Sequence, residues 1–282
     1  MIPAAFEYSR AGSIDEALEL MAGADPSVRV LAGGQSLVPL MKLRLARPQR
    51  LVDLGKLEEL RGVSTDPDGG LRIGALTTWA TLLADPRVTR MGAFSDALPV
   101  IGDVQVRNLG TIGGSLAHAD PASDIAAPAL ALELEVVVRS GARGERRIHV
   151  TELFQGPFAT AIAPDEILMS VHVPAGVANL ASAYVALPQP ASGYPIAGVA
   201  VAIADTGAVR IGVTGVGEQP YRASGVEAAI AGGTPADAAV KEIAVGQRVA
   251  ADIHADREYR AAMAVVMGRR AFAAARARAE AR

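Results

Sequence analysis

Two short segments hold the residues from which chemistry could be built. Ala32-Gly33-Gly34-Gln35-Ser36-Leu37 and Thr111-Ile112-Gly113-Gly114-Ser115-Leu116 each place a glycine pair ahead of a serine. Glycine admits positive φ and lets another group approach the backbone closely. Successive exposed N–H groups in such a turn form a nest that binds anions, and a neighbouring hydroxyl adds a donor. Two nests about 80 residues apart could converge on one pyrophosphate. Taken singly, each segment also reads as an ordinary strand-exit turn. Beside the second segment lies His118-Ala119-Asp120-Pro121-Ala122-Ser123-Asp124. His118, Asp120 and Asp124 are metal-capable types, but His149, His172 and His254 are scattered. Loop and capping chemistry is therefore the reading here, and no metal site is expected. Asp124 either caps the following helix or accepts from a ligand hydroxyl.

Several chemistries lack their motif. There is no G-x-G-x-x-G turn for a Rossmann dinucleotide site and no G-x-x-x-x-G-K-[ST] phosphate loop. No serine sits in a G-x-S-x-G elbow. No residue is nominated as catalytic. The 282 residues contain no cysteine, which excludes disulfides, thiol catalysis and cysteine-ligated clusters within this chain. With 27 basic and 30 acidic residues the formal charge is −3, unlike a nucleic-acid binder. No apolar run approaches about 18 residues, so no transmembrane helix is expected. Met1 to Tyr8 lacks the basic and apolar regions of a signal peptide, and the expected location is cytoplasmic.

Around these segments the elements follow from local pattern. Ser13 and Glu16 form a capping box that opens a helix ending at Gly23. Val28 to Ala32 reads as a strand running into the first glycine pair, and Ser36 opens a helix through Leu45. Strands are expected at Arg50 to Leu54 and Leu71 to Ala75, with helices from Thr78 and over Ala93 to Ile101. Asp124 could cap an alanine-rich helix to Leu132. Glu135 to Arg139 and Arg146 to Val150 read as a hairpin, and Ile167 to Val173 as a strand.

Composition shifts at Pro174-Ala175-Gly176-Val177. Beyond it, Ser182 to Leu187, Ile196 to Ala204 and Val209 to Val213 form an antiparallel meander. Thr234-Pro235 then reads as an N-cap and first helical residue. A helix follows from Asp256, its basic end a solvated terminus. Two α+β domains result, 1–176 and 177–282.

These segments resemble those of a known family. Leu31 to Leu45 looks like the first flavin loop of the FAD-binding medium subunits of molybdenum hydroxylases, the carbon monoxide dehydrogenase and xanthine dehydrogenase type. Gln105 to Ser115, continuing to Asp124, resembles the second loop. Asp165-Glu166-Ile167-Leu168 with Val173-Pro174, and Asp256 to Arg260 with Arg269-Arg270-Ala271, extend the likeness over nearly the whole chain.

The resemblance implies a two-lobed FAD domain of the vanillyl-alcohol-oxidase (PCMH) type. A smaller C-terminal domain of the carbon monoxide dehydrogenase flavoprotein type would follow, with a three-stranded antiparallel sheet and helices. It implies FAD contacts from Ala32, Gly33, Gly34, Gln35, Ser36 and Leu37, and from Thr111, Ile112, Gly113, Gly114 and Ser115. Arg29, Val30 and Leu31 would border the adenosine or diphosphate. Ser123 and Asp124 would meet the polyol, Ile101 and Val106 the isoalloxazine, and Tyr194 would cover one flavin face. Here Ser192-Gly193 precede Tyr194, where relatives often carry an acidic residue.

The implied role is electron transfer. Partner chains would be a large molybdenum-cofactor subunit and a small subunit with two [2Fe–2S] clusters, in a dimer of heterotrimers. The alternative is a standalone FAD-dependent oxidase of the same domain type.

Overall fold

Every residue of the strand Glu166–Val173 is buried, which makes it the spine of the N-terminal half. The computed structural model describes residues 2–23 and 25–282; Met1, first residue of the segment tested for a leader, lies outside them. The spine is central in a five-stranded antiparallel sheet. Its order is Val63–Thr65, Leu71–Gly74, Glu166–Val173, Glu135–Ser140, Gly144–His149. A second, parallel sheet lies at the N-terminus, ordered Glu7–Arg10, Arg50–Asp53, Val28–Leu31. Parallel strands need crossovers, and the helices Ile14–Leu20 and Leu37–Lys42 lie in them. Asp53, at the end of the middle strand, accepts from Tyr8 Oη and, at 2.9 Å, from Arg10 Nε.

The meander is a sheet of its own: Ala181–Pro188, Pro195–Ile203, Val209–Thr214 and the two-residue strand Tyr221–Arg222. Its faces alternate with period two. Tyr184, Ala200 and Ala202 join the core of the N-terminal half. Ala183, Ala197, Val199, Val201, Ile211 and Val213 pack with the long helix Arg257–Glu280. Asp256 caps that helix, accepting from Tyr259 N at 2.8 Å.

Small residues let these layers close. The helix Ala126–Ala131 is buried along its whole length and lies on the meander. A Cβ on Gly212 would overlap the carbonyl oxygen of Ala127, so strand and helix touch backbone to backbone. The free edge of the meander is covered too. Asp96 accepts from Tyr184 N at 2.9 Å and is gripped by both Arg278 guanidinium nitrogens at 2.7 Å. With one N–H of the edge strand claimed internally and the Ser182 carbonyl taken by Arg278, the strand is a poorer template for a foreign one. Glu133, at φ +50°, takes Arg210 at 2.7 Å and Arg222 at 2.9 Å.

Most expected elements are present, and the departures have local causes. The meander has four strands where three were expected; Tyr221–Arg222 is too short to carry a pattern. Glu7–Arg10 is polar and mostly exposed, so no alternation announced it. The helix after Ser36 stops at Lys42, three residues short of Leu45. Glu16 reaches back to Gly12 N at 2.7 Å rather than to Ser13 N, while Ser13 Oγ accepts from Glu16 N at 3.1 Å. Pro235 is the residue before the helix Ala236–Ala239 rather than its first residue. Within the basic C-terminal segment, Arg278 is engaged with Asp96 rather than free in solvent. No helix among the described residues is long and apolar enough to cross a membrane.

Gly212→Val forces the alanine-rich helix off the sheet. Overpacking of this kind destabilises by about 1–3 kcal/mol, and equilibrium urea unfolding of the full chain reads it directly.

Candidate functional site

The first glycine segment leaves the end of the strand Val28–Leu31 and turns at Gly34, whose φ of +72° suits glycine. Gly33, Gly34, Gln35, Ser36 and Leu37 offer five consecutive backbone N–H groups with no acceptor among the described residues. All five residues are half-buried rather than projecting into solvent. Val38 N then donates to Gly34 O at 3.0 Å, where the helix begins. Ser36 precedes that helix yet makes no side-chain capping bond, so its hydroxyl stays available. Gln35 folds back, its Nε2 donating to Gly33 O at 3.2 Å.

The second segment is built differently. It is the helix Ile112–His118, not an open loop. Its N–H groups are spent inside the protein. Ile112 N donates to Thr77 O at 3.1 Å, Gly113 N to Ala75 O at 3.0 Å, and Ser115 N to Thr111 O at 3.0 Å. Thr111 Oγ1 caps the helix by accepting from Gly114 N at 3.2 Å. The expectation of two equivalent nests therefore fails for this one. What it offers is a bare glycine surface and hydroxyls: Ser115 Oγ lies 3.0 Å from Ser123 Oγ.

The two segments meet in space. A Cβ on Gly33 would overlap the carbonyl oxygen of Leu109 and come within 3.0 Å of Gly110 Cα. A Cβ on Gly114 would sit 3.6 Å from Ala32 Cβ. The N–H row of one segment thus lies beside the glycine surface of the other.

Asp124 does not cap the alanine-rich helix, whose first bond is Ala126 N to Ser123 O at 3.1 Å. Its carboxyl is buried instead and accepts from Tyr184 Oη at 2.7 Å. Burial pushes its pKa up to about 7, with the Tyr184 hydrogen bond opposing. Tyr194 lies about half exposed in the turn before Pro195–Ile203. Burial and the charges of Asp120 and Asp124 hold its phenol above the ordinary range.

Other expected residues play plainer parts. Ile112 is fully buried and Ile101 packs against the same core, so Ile112 offers no side chain to a ligand. Val106 lies in the helix Val104–Leu109, beneath Gly102. Arg29 is exposed, its guanidinium 3.4 Å from Val28 O, whereas Val30 and Ala32 turn toward the N-terminal core. Leu31 and Leu37 are half-buried. His118 lies against the Phe158 ring at 5.2 Å, and burial lowers its imidazole pKa.

Three residues of the meander shape the site without any motif of their own. Tyr184 holds Asp124. Thr214 Oγ1 lies 2.9 Å from the carbonyls of both Pro121 and Ser123, and Gly215 N donates to Pro121 O at 2.7 Å. Their partners are some 60 to 95 residues away in sequence, so only the fold reveals them. Chemically, the N–H row suits an anion. The serine pair and the aspartate suit a polyhydroxylated chain, since both hydroxyl and carboxylate oxygens accept from hydroxyl groups.

Residues 4–176 match the family of the FAD binding domain in molybdopterin dehydrogenase, and residues 182–275 the CO dehydrogenase flavoprotein C-terminal domain. The chain is 37% identical over 265 residues to the glyceraldehyde dehydrogenase medium chain of Sulfolobus acidocaldarius, covering 92% of each. It is 34% identical to the carbon monoxide dehydrogenase medium chain of Hydrogenophaga pseudoflava, covering 99% of each. A solved structure of the latter enzyme, lacking the Mo-pyranopterin moiety of its cofactor, superposes with a TM-score of 0.91 at 36% identity, covering 99% of each chain. These similarities, on a fold of mixed helix and sheet, show that the chain belongs to the FAD-binding medium subunits of the molybdenum hydroxylases.

Proposed function

We propose that the groove between the two glycine segments holds FAD in extended form. The carrying observation is the row of unused N–H groups from Gly33 to Leu37, set beside the side-chain-free Gly114. The diphosphate lies along Ala32 to Leu37 and faces Thr111 to Ser115, with Arg29, Val30 and Leu31 at the adenosine end. Backbone donors suffice to hold an anion here. Ser123 and Asp124 accept from the polyol. Ile101 and Val106 border the isoalloxazine, and Tyr194 covers it from the C-terminal domain.

This reading divides the chain near residue 176, into 1–176 and 177–282, and gives the first part the two-lobed vanillyl-alcohol-oxidase (PCMH) architecture. The two lobes correspond to the parallel sheet and the five-stranded antiparallel sheet. The chain works in the cytoplasm beside a large molybdenum-cofactor subunit and a small subunit carrying two [2Fe–2S] clusters, in a dimer of heterotrimers. When bound, FAD supplies a redox centre that accepts electrons from the clusters and passes them to an external acceptor. The chain's own residues bind and orient it and limit water at one face. No general acid or base is assigned to them.

Two measurements test the reading. Gly33→Ala drives a methyl into the Leu109 carbonyl and separates the segments; the affinity of the chain for FAD falls about tenfold, a loss of roughly 1.4 kcal/mol, and its occupancy as purified falls with it. Gly114→Val crowds the groove from the other side and lowers occupancy in the same assay. Wild-type occupancy in both variants would show that the groove is not the site. Second, the isolated chain shows no substrate-dependent flavin reduction, whereas the assembled complex does. Reduction by the isolated chain would instead make it a self-sufficient oxidase.

A further inference from the structure

From the meander, Tyr184 reaches the carboxyl of a proposed cofactor contact through a single hydrogen bond. Tyr184 is buried, and its hydroxyl donates to Asp124 Oδ1 at 2.7 Å. Its position is fixed at three points. The backbone N–H is held by Asp96 at 2.9 Å. The ring lies in the core shared by both halves. A Cβ on Gly198 would overlap the hydroxyl, so the neighbouring strand makes room for this phenol by carrying no side chain there. The Asp124 backbone is pinned alongside, because Thr214 and Gly215 hold the carbonyls of Pro121 and Ser123.

We propose that Tyr184 is a positioning residue that sets the protonation of Asp124, so that FAD binding releases a proton. The proposal rests on the cofactor reading above, in which Asp124 accepts from a polyol hydroxyl.

A buried carboxylate lacking a cation is disfavoured against its neutral form. Asp124 has no ion-pair partner among the described residues. Tyr184 donates to it from the meander, Tyr194 on the turn opposite feels its charge and that of Asp120, and its neighbour Ser123 pairs with Ser115. None is cationic at neutral pH. His118 feels Asp120, but its imidazole is pushed down by burial. Only hydrogen bonds therefore favour the charged form, and the Tyr184 hydroxyl supplies one. In the free protein the carboxyl titrates at about 7. A cofactor hydroxyl that donates to the remaining oxygen adds a second stabilising bond and displaces the proton to solvent.

The sign follows by linkage. The bound state holds fewer protons than the free one, so affinity rises with pH until the free carboxyl is ionised. Flavin-free full-length chain, titrated with FAD by fluorescence quenching, binds about tenfold more weakly at pH 6 than at pH 8. Calorimetry in buffers of different ionisation enthalpy reads release of about half a proton per FAD at pH 7.

Tyr184→Phe removes the donor and moves the midpoint of the profile to higher pH. Replacing Tyr184 with 3-fluorotyrosine keeps the shape, strengthens the donor and moves it to lower pH. Asp124→Asn flattens the profile. A merely structural role for Tyr184 would change affinity equally at every pH. Wild-type chain that takes up no FAD at any pH sinks the cofactor reading and this proposal together. Uptake with a flat profile and no proton release overturns the proton coupling alone. An unmoved midpoint in the fluorotyrosine protein overturns the role of Tyr184, even if Tyr184→Phe fails to fold.

Discussion

Backbone contact between the alanine-rich helix and the meander is the constraint on which the rest depends. At Gly212 the strand carries no side chain, and the helix Ala126–Ala131 comes down onto it until carbonyl meets glycine. The Pro121–Asp124 segment enters that helix, so its position is set by the same contact. Once the layers close, Thr214 and Gly215 can reach the carbonyls of the segment and Tyr184 can reach its carboxyl. The loop before the helix is then held by contacts from both halves of the chain. Protein interiors tolerate little slack, so a shift of the helix would carry Asp124 with it. The high alanine content has its physical reason here. Thin side chains allow helix and sheet to lie close, and backbone groups do the aligning.

The two glycine segments look alike in sequence and divide the work in the structure. One keeps its N–H groups open to the groove. The other uses its N–H groups to fasten itself to Thr77 and Ala75, and so becomes a rigid surface. The difference arises upstream. Thr111 is a helix N-cap with its hydroxyl engaged, which winds the following residues into a helix and directs their donors inward. Ser36 makes no such bond, and the turn at Gly34 leaves its donors facing outward. A site that needed donors on both sides would compete with the folding of both segments. Concentrating them on one side lets the other be a stable part of the core.

Local chemistry made much of this legible in the sequence. The caps at Ser13, Thr78 and Asp256, the apolar strands of the five-stranded sheet and the meander all follow from residues close in sequence. The glycine pairs mark where the two segments approach each other, because glycine is the residue that close approach requires. What stayed hidden depends on partners far apart in the chain. Nothing near Asp124 announces that Tyr184, rather than a helix N-terminus, takes its carboxyl. Nothing near Arg278 announces Asp96, and a basic helix end reads as solvated by default. Glu7–Arg10 was hidden for another reason: a polar edge strand is held by pairing and by the Arg10 and Tyr8 contacts with Asp53, not by an apolar face.

The clasp between Arg278 and Asp96 has a consequence for the order of synthesis. Asp96 leaves the ribosome early, together with both glycine segments, whereas Arg278 follows some 182 residues later. Until then the meander edge lacks its cover. A nascent chain therefore holds both glycine segments long before that edge is covered. Covering that edge waits for the long helix Arg257–Glu280.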